Sequence, residues 1–326
     1  MKKAKGLILA GLIAAVSTVL GNFFPIIGSA VFAIIIGLVL KNTVGVGEDF
    51  QPGIKFSAKK VLQWSIILLG FSLNIQDIGK TGATSISVTL VTIAVAFIVA
   101  FLVGKWLKIP TNLKILVGVG TAICGGSAIA AVAPIIEADD DEVALSVSTI
   151  FLFNILAVFL FPFFGHLMQL SDAGFGLWAG TAINDTSSVV AAGYSFSETA
   201  GDYATIVKLT RATLIIPVSL VIAGIQIFKK KKTSDTVSIK QIFPWFILWF
   251  LVASIISSTG ILPAGFIAAA KWASRFMIAM ALGSIGLTAN VKDMLKTGTK
   301  PVLLGLITWF FVAVSSLLVQ MIYGQL

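Results

Sequence analysis

Long apolar runs separated by short polar joints occupy the whole chain. A helix rises about 1.5 Å per residue and the hydrocarbon core of a bilayer is about 30 Å thick, so about 20 mainly apolar residues make one crossing. On that measure the pattern predicts eleven crossings, over residues 6–21, 26–41, 59–75, 83–105, 113–136, 143–165, 174–193, 203–228, 242–259, 264–290 and 300–323. Ten remain if one segment enters and leaves on the same side. The joints are too short to fold alone, which predicts an all-α membrane protein in one domain, 1–326. The start, MKKAKGLILAGLIAAVSTVLGN, has the basic head and apolar centre of a signal peptide. It shows no small-x-small cleavage site near Leu20 and more apolar segments follow, so it is read as a retained first crossing.

Composition sharpens this reading. Hydrophobic residues make up 57% of the chain and charged ones 11%, with a mean hydropathy of +1.02, too few polar groups to cover a water-soluble protein of this size. The net charge of +9 falls in alternate joints. With the N-terminus inside, internal joints receive Lys2, Lys3 and Lys5, then Lys41, Lys55, Lys59 and Lys60, then Lys105, Lys108 and Lys114, then Lys229 to Lys232 with Lys240, and finally Lys292, Lys296 and Lys300. External joints keep the acidic run Glu137 to Glu142, Glu198 and Asp202, with Lys80 as the exception. This asymmetry predicts a multi-pass protein of a bacterial cytoplasmic membrane with its N-terminus in the cytoplasm, and assigns the basic excess to the lipid bilayer rather than to nucleic acid. The acidic run reads as a solvated loop. One cysteine, Cys124, and one histidine, His166, leave no internal disulfide, no cysteine-based metal cluster and a poor supply for catalysis. Neither an enzyme nor a cofactor is expected, and the sequence carries no nucleotide-binding loop.

Two stretches repeat. KFSAKKVLQWSIILLGFSLNIQDIGKTG, from Lys55, matches KWASRFMIAMALGSIGLTANVKDMLKTG, from Lys271, without a gap. Gly70, Asn74, Asp77, Lys80, Thr81 and Gly82 align with Gly286, Asn290, Asp293, Lys296, Thr297 and Gly298. The copies fall in the third and tenth predicted crossings, an odd number apart, so they face opposite sides of the membrane. This predicts inverted repeats over 55–104 and 271–320, the sequence mark of secondary transporters. By analogy with Lys55 and Lys59, Lys271 and Arg275 are placed at the end of their helix, beside Trp272.

The predicted crossings 113–136 and 174–193 contain polar interruptions. GTAICGGSA starts at Gly120 and GTAINDTSS at Gly180, and each is followed by a further helical segment at the same distance. Thr121, Cys124, Gly125, Gly126 and Ser127 in the first, and Asn184, Asp185, Thr186, Ser187 and Ser188 in the second, favour turns and caps over helix interior. Small residues also serve tight helix packing, but a charged Asp at mid-membrane costs about 2.5–3.5 kcal/mol and marks a functional pathway. A helix broken in the membrane frees N–H and C=O groups that lipid cannot satisfy, so both breaks are expected to face a polar interior. The N–H ends suit an anion and the freed carbonyls a cation. Lys208 and Arg211, three residues apart on the next helix, are candidates to neutralise Asp185 or to bind an anionic substrate. On the eleven-crossing count the two GTAI segments run parallel, which an inverted fold does not explain.

These motifs, with EVALSVSTI and ATIVKLTR downstream, resemble the YeiH-type family of membrane proteins, labelled sulfate exporters, over nearly the whole chain. The resemblance implies a fold similar to the cation/proton antiporters and bile-acid-type anion transporters: inverted repeats, core and panel subdomains, and two broken helices crossing near the midplane. The expected function is secondary active export of a small inorganic or sulfur-containing anion, driven by a proton or sodium gradient. Thr121, Cys124, Gly125, Gly126, Ser127, Asn184, Thr186, Ser187, Ser188, Lys208 and Arg211 would line the site, and Asp185 would carry the coupling ion. The Asn184–Asp185 pair is also similar to the motif of electroneutral sodium/proton antiporters, so a sodium/proton exchanger with sodium at Asp185 is the alternative. A passive anion channel and a membrane-embedded enzyme using Ser187 or Ser188 are further readings, and a homodimer is open.

Overall fold

The computed structural model describes residues 3–24, 28–230, 244–289 and 298–326. Asn290, Asp293, Lys296 and Thr297 of the second repeat copy lie outside them, as do Lys2, Lys231, Lys232, Lys240 and Lys292. Every regular element among the described residues is helical. In chain order these are α1 (Ala4–Phe23), α2 (Gly28–Thr43), α3 (Gln51–Phe56) leading through a π turn (Ser57–Val61) into α4 (Leu62–Gly70), α5 (Ile75–Trp106), α6 (Thr111–Ala122), α7 (Gly126–Val132), α8 (Asp140–Leu167), α9 (Asp172–Ala182), α10 (Thr186–Phe196), α11 (Glu198–Thr213), α12 (Ile215–Lys230), α13 (Trp245–Ser258), α14 (Ala264–Thr288) and α15 (Thr299–Tyr323).

Among the described residues, six helical stretches are long and apolar enough to cross a membrane: Ala4–Phe23, Ile75–Trp106, Asp140–Leu167, Glu198–Ile225, Ala264–Thr288 and Thr299–Tyr323. Gly28–Thr43 and Trp245–Ser258 are shorter apolar helices. Burial differs from that of a water-soluble protein in its surface, which carries many large apolar side chains. Leu12, Leu102, Trp249 and Ile322 are exposed, whereas Ser65, Ser274, Lys208 and Arg211 are fully enclosed. Apolar groups outside and satisfied polar groups inside are what a hydrocarbon solvent selects.

The chain forms two compact units. The first comprises Met1–Thr81, Val190–Gly201 and Trp245–Val291. In it α4 and α14, the helices of the two repeat copies, pack antiparallel: Ser57 Oγ donates to the Met280 carbonyl (3.3 Å) and Ser274 Oγ to the Ser65 carbonyl (2.7 Å). Glycines set how closely their neighbours approach. The Phe250 carbonyl of α13 lies against Gly70, and the Ile34 carbonyl of α2 lies against Gly286, each where a side chain would stand. The two contacts exchange under one shift in numbering, 70 to 286 and 34 to 250. The ends of both helices are closed alike, because Ser254 Oγ donates to the Leu73 carbonyl (2.8 Å) and Asn42 Nδ2 to the Ala289 carbonyl (3.0 Å). Lys271 and Arg275 on α14 both form ion pairs with Glu198.

The second unit comprises Gly82–Val189, Asp202–Pro244 and Lys292–Leu326. Here α6, α8, α9 and α15 pack together. Trp178 on α9 stacks on Phe161 of α8 at 4.2 Å between ring centres, and its indole N–H donates to the Ala313 carbonyl of α15 (3.0 Å). The acidic run is more than a solvated loop. Asp139 and Glu142 form a capping box at the start of α8, and Asp140, Asp141 and Glu142 stand in its first turn, where the helix dipole favours negative charge.

Candidate functional site

Each of the predicted crossings 113–136 and 174–193 consists of two helices. Between α6 and α7 the chain leaves helical geometry at Ile123 (φ −124°, ψ −87°) and turns at Gly125 (φ 64°, ψ −129°), a conformation open in practice to glycine alone. Between α9 and α10 it turns extended at Ile183 (φ −81°, ψ 135°). Asp185 then starts α10: its carboxylate accepts the Ser187 N–H at 3.0 Å and also the Ser187 hydroxyl. An aspartate in that position caps a helix in the usual way. The two breaks meet, since a Cβ built on Gly125 would stand 3.5 Å from Asp185 Cβ.

The carbonyls freed at the ends of α6 and α9 are taken by two basic side chains of α11. Lys208 Nζ donates to the Ile123 carbonyl (2.7 Å) and to the Ile183 carbonyl (2.8 Å). Arg211 donates from Nε to the Ala122 carbonyl (2.7 Å) and from Nη2 to the Thr121 carbonyl (2.7 Å). Both side chains are 0% exposed. Ile123 and Ile183 hold the same place in the two GTAI motifs, so one ammonium closes both half-helices at equivalent positions. Lys208 and Arg211 thus act on backbone carbonyls, while Asp185 is held by Ser187, and two basic groups stand beside one carboxylate.

A side chain that the sequence did not single out joins the cluster. Asn154 of α8 accepts the Asp185 N–H on its Oδ1 at 3.2 Å. Its signal in the sequence is one amide inside the apolar run FLFNILAVFLF. Around this junction several buried polar atoms have no hydrogen-bond partner among the described residues: Thr121 Oγ1, Asn154 Nδ2, both amide atoms of Asn184, and Arg211 Nη1. Cys124 is a buried free thiol, and Ser187 and Ser188 are buried. Gly126, Asp185 and Thr186 are half-buried and Ser127 is exposed, so the accessible edge of the site is formed by the starts of α7 and α10. His166 lies near the C-terminal end of α8, away from these residues in sequence. Among the described residues no group of three His, Cys, Asp or Glu could hold a metal ion.

Comparison with known proteins places this arrangement in a family. The model of the family described as Conserved hypothetical protein 698 matches residues 5–305. The chain is 45% identical to a UPF0324 membrane protein of Streptococcus mutans, covering 99% of this chain and 98% of that one. It is 42% identical to a UPF0324 membrane protein of Fusobacterium nucleatum, with 99% of each covered. A third relative, a UPF0324 membrane protein of Clostridium tetani, is 41% identical over 99% of this chain and 98% of its own length.

Proposed function

The chain belongs to the family of Conserved hypothetical protein 698, the YeiH-type UPF0324 membrane proteins, and on that premise we propose that it is a secondary active transporter exporting a small inorganic or sulfur-containing anion across the cytoplasmic membrane. The observation that carries the reading is the junction of two broken helices whose freed carbonyls are held by Lys208 and Arg211. Broken helices that meet inside a membrane protein are the usual frame of a secondary transporter's binding site. Two buried basic side chains stand beside one carboxylate, Asp185, which favours a negatively charged cargo. The carbonyls that would otherwise hold an alkali cation already accept from the protein's own basic side chains, which weighs against the sodium/proton exchanger.

The exchanged contacts of Gly70 and Gly286 support inverted repeats over 55–104 and 271–320. A two-fold relation of this kind lets one site open to either side in turn. In this cycle Asp185, half-buried at the edge of the junction, takes up the coupling proton or sodium ion. The test is transport in reconstituted vesicles. Sulfate should move against its gradient under an imposed proton or sodium gradient, and Asp185→Asn should abolish the coupling; undiminished coupled transport by that variant removes Asp185 from the mechanism. A proton flux driven by alkali cations with no anion present would establish the exchanger instead, and sulfate movement only down its gradient would establish a channel.

A further inference from the structure

The polar atoms left over at the junction specify what it binds. Asn154 is 3% exposed, and the Asp185 N–H that it receives can only donate, so its Oδ1 faces Asp185. Its Nδ2, with two hydrogens, points elsewhere and has no partner among the described residues. Asn184 is 1% exposed and neither atom of its amide has a partner among the described residues. Arg211 uses Nε and Nη2 on carbonyls and keeps Nη1, while Thr121, whose carbonyl accepts from that Nη2, keeps its hydroxyl. An enclosed amide with nothing to bond is costlier than a leucine of similar size. Groups of this kind, gathered where two helices are broken, are retained for a partner that is not part of the chain.

We infer that Asn154 Nδ2, the Asn184 amide, Arg211 Nη1 and the Thr121 hydroxyl form the binding groups for a small oxyanion, with Asn154 as a specificity residue set in place by the Asp185 N–H. This rests on the transporter reading above and narrows it. The chemistry follows from counting donors. Three nitrogens and a hydroxyl offer hydrogens, against the Asn184 oxygen and the same hydroxyl as acceptors. The ligand must therefore accept several hydrogen bonds at once, which an alkali cation cannot do. A compact oxyanion presents several oxygens to donors arriving from different helices: Asn154 from α8, Asn184 from the second break, Thr121 from the end of α6 and Arg211 from α11. Its charge also meets the Arg211 guanidinium. Charge-assisted hydrogen bonds to such a ligand are the strong ones, so loss of one donor should be read easily in binding.

Two substitutions separate binding from support of the fold. Asn184→Leu removes an amide with no partner among the described residues, so the full-length variant should melt at or above the wild-type temperature when no anion is added, yet bind sulfate about tenfold more weakly or worse. Asn154→Asp keeps an oxygen for the Asp185 N–H but replaces the donor with a second oxygen, and should lose sulfate binding. The measurements are thermal melting and radiolabelled sulfate binding on purified protein, with transport in vesicles alongside. Wild-type sulfate affinity in Asn184→Leu overturns the inference. So does a clear fall in its melting temperature, because the amide would then be holding the fold. If Asn154→Asp does not fold, Asn184→Leu decides alone. Wild-type protein that transports sulfate while both variants bind it normally leaves the transporter reading standing and removes only this inference; wild-type protein that neither binds nor moves sulfate, sulfite or sulfonates sinks the reading beneath it.

Discussion

A single ammonium group closes two half-helices, and that makes Lys208 the residue on which the junction most depends. Its bonds to the Ile123 and Ile183 carbonyls are made without exposure to solvent. Lys208→Met should therefore destabilise the protein by about 1–3 kcal/mol for each carbonyl orphaned, visible as a marked fall in the melting temperature of the purified chain. Asp185 behaves differently. Because it serves α10 as a cap and asparagine caps as well as aspartate, Asp185→Asn should change stability by less than about 1 kcal/mol while coupling is lost, and a stability loss as large as that of Lys208→Met would show that the charge itself holds the fold. Asn184 and Asp185 were legible in the sequence because an adjacent amide and carboxylate are expensive inside an apolar segment. Asn154 was not, since a lone amide in FLFNILAVFLF fits helix packing equally well until its partner is known.

At the scale of elements, glycines decide where helices stop and how near they come. Gly125 has φ 64° and ψ −129° and faces Ile150 and Asp185, so Gly125→Ala should cost about 1–3 kcal/mol from backbone strain alone. Circular dichroism of the purified variant should keep the helical signal while its melting point falls. Gly70 and Gly286 face backbone carbonyls of α13 and α2 at corresponding places. Alanine at either should force the helices apart and cost about 1–3 kcal/mol, with similar losses at the two sites if the copies are equivalent. The breaks themselves were readable from Gly125–Gly126 and from the Asn184 to Ser188 run, because these residues compete with helical hydrogen bonds. The destination of the freed carbonyls was not readable. Their donors arrive from α11, far along the chain, and nothing within GTAI announces that Lys208 will serve two copies of it at once. In the same way, composition placed the acidic run in a solvated loop, and only the capping geometry of Asp139 and Glu142 shows it starting α8.

For the whole molecule, the distribution of lysines predicts a testable sidedness. Cys124 is buried, so new surface cysteines can be read without interference by a membrane-impermeant maleimide. On the proposed orientation Asp141→Cys is labelled in intact cells and Val44→Cys, at a position 80% exposed, only after the membrane is opened; the reverse pattern inverts the orientation. The apolar pattern marked the six helices that, among the described residues, are long and apolar enough to cross a membrane, since hydrocarbon thickness imposes length; the other five predicted crossings have no such helix. Interruptions such as the one after Gly70 depend on side-chain donors from α13 and lie beyond a hydropathy count. On the proposed transport cycle, the Arg211 guanidinium, fixed on the Ala122 and Thr121 carbonyls, has a second consequence. A charge that crosses the full field responds to membrane voltage by about 2.3 kcal/mol per 100 mV. If the empty site carries one net positive charge, an interior-negative cell would draw the unoccupied carrier back toward the cytoplasm, and a univalent anion would cancel that pull on the outward stroke. The resting potential would then act as a return spring for the proposed exporter, and clamping vesicles to zero voltage should slow repeated turnover with a univalent anion while leaving its single outward transfer unchanged.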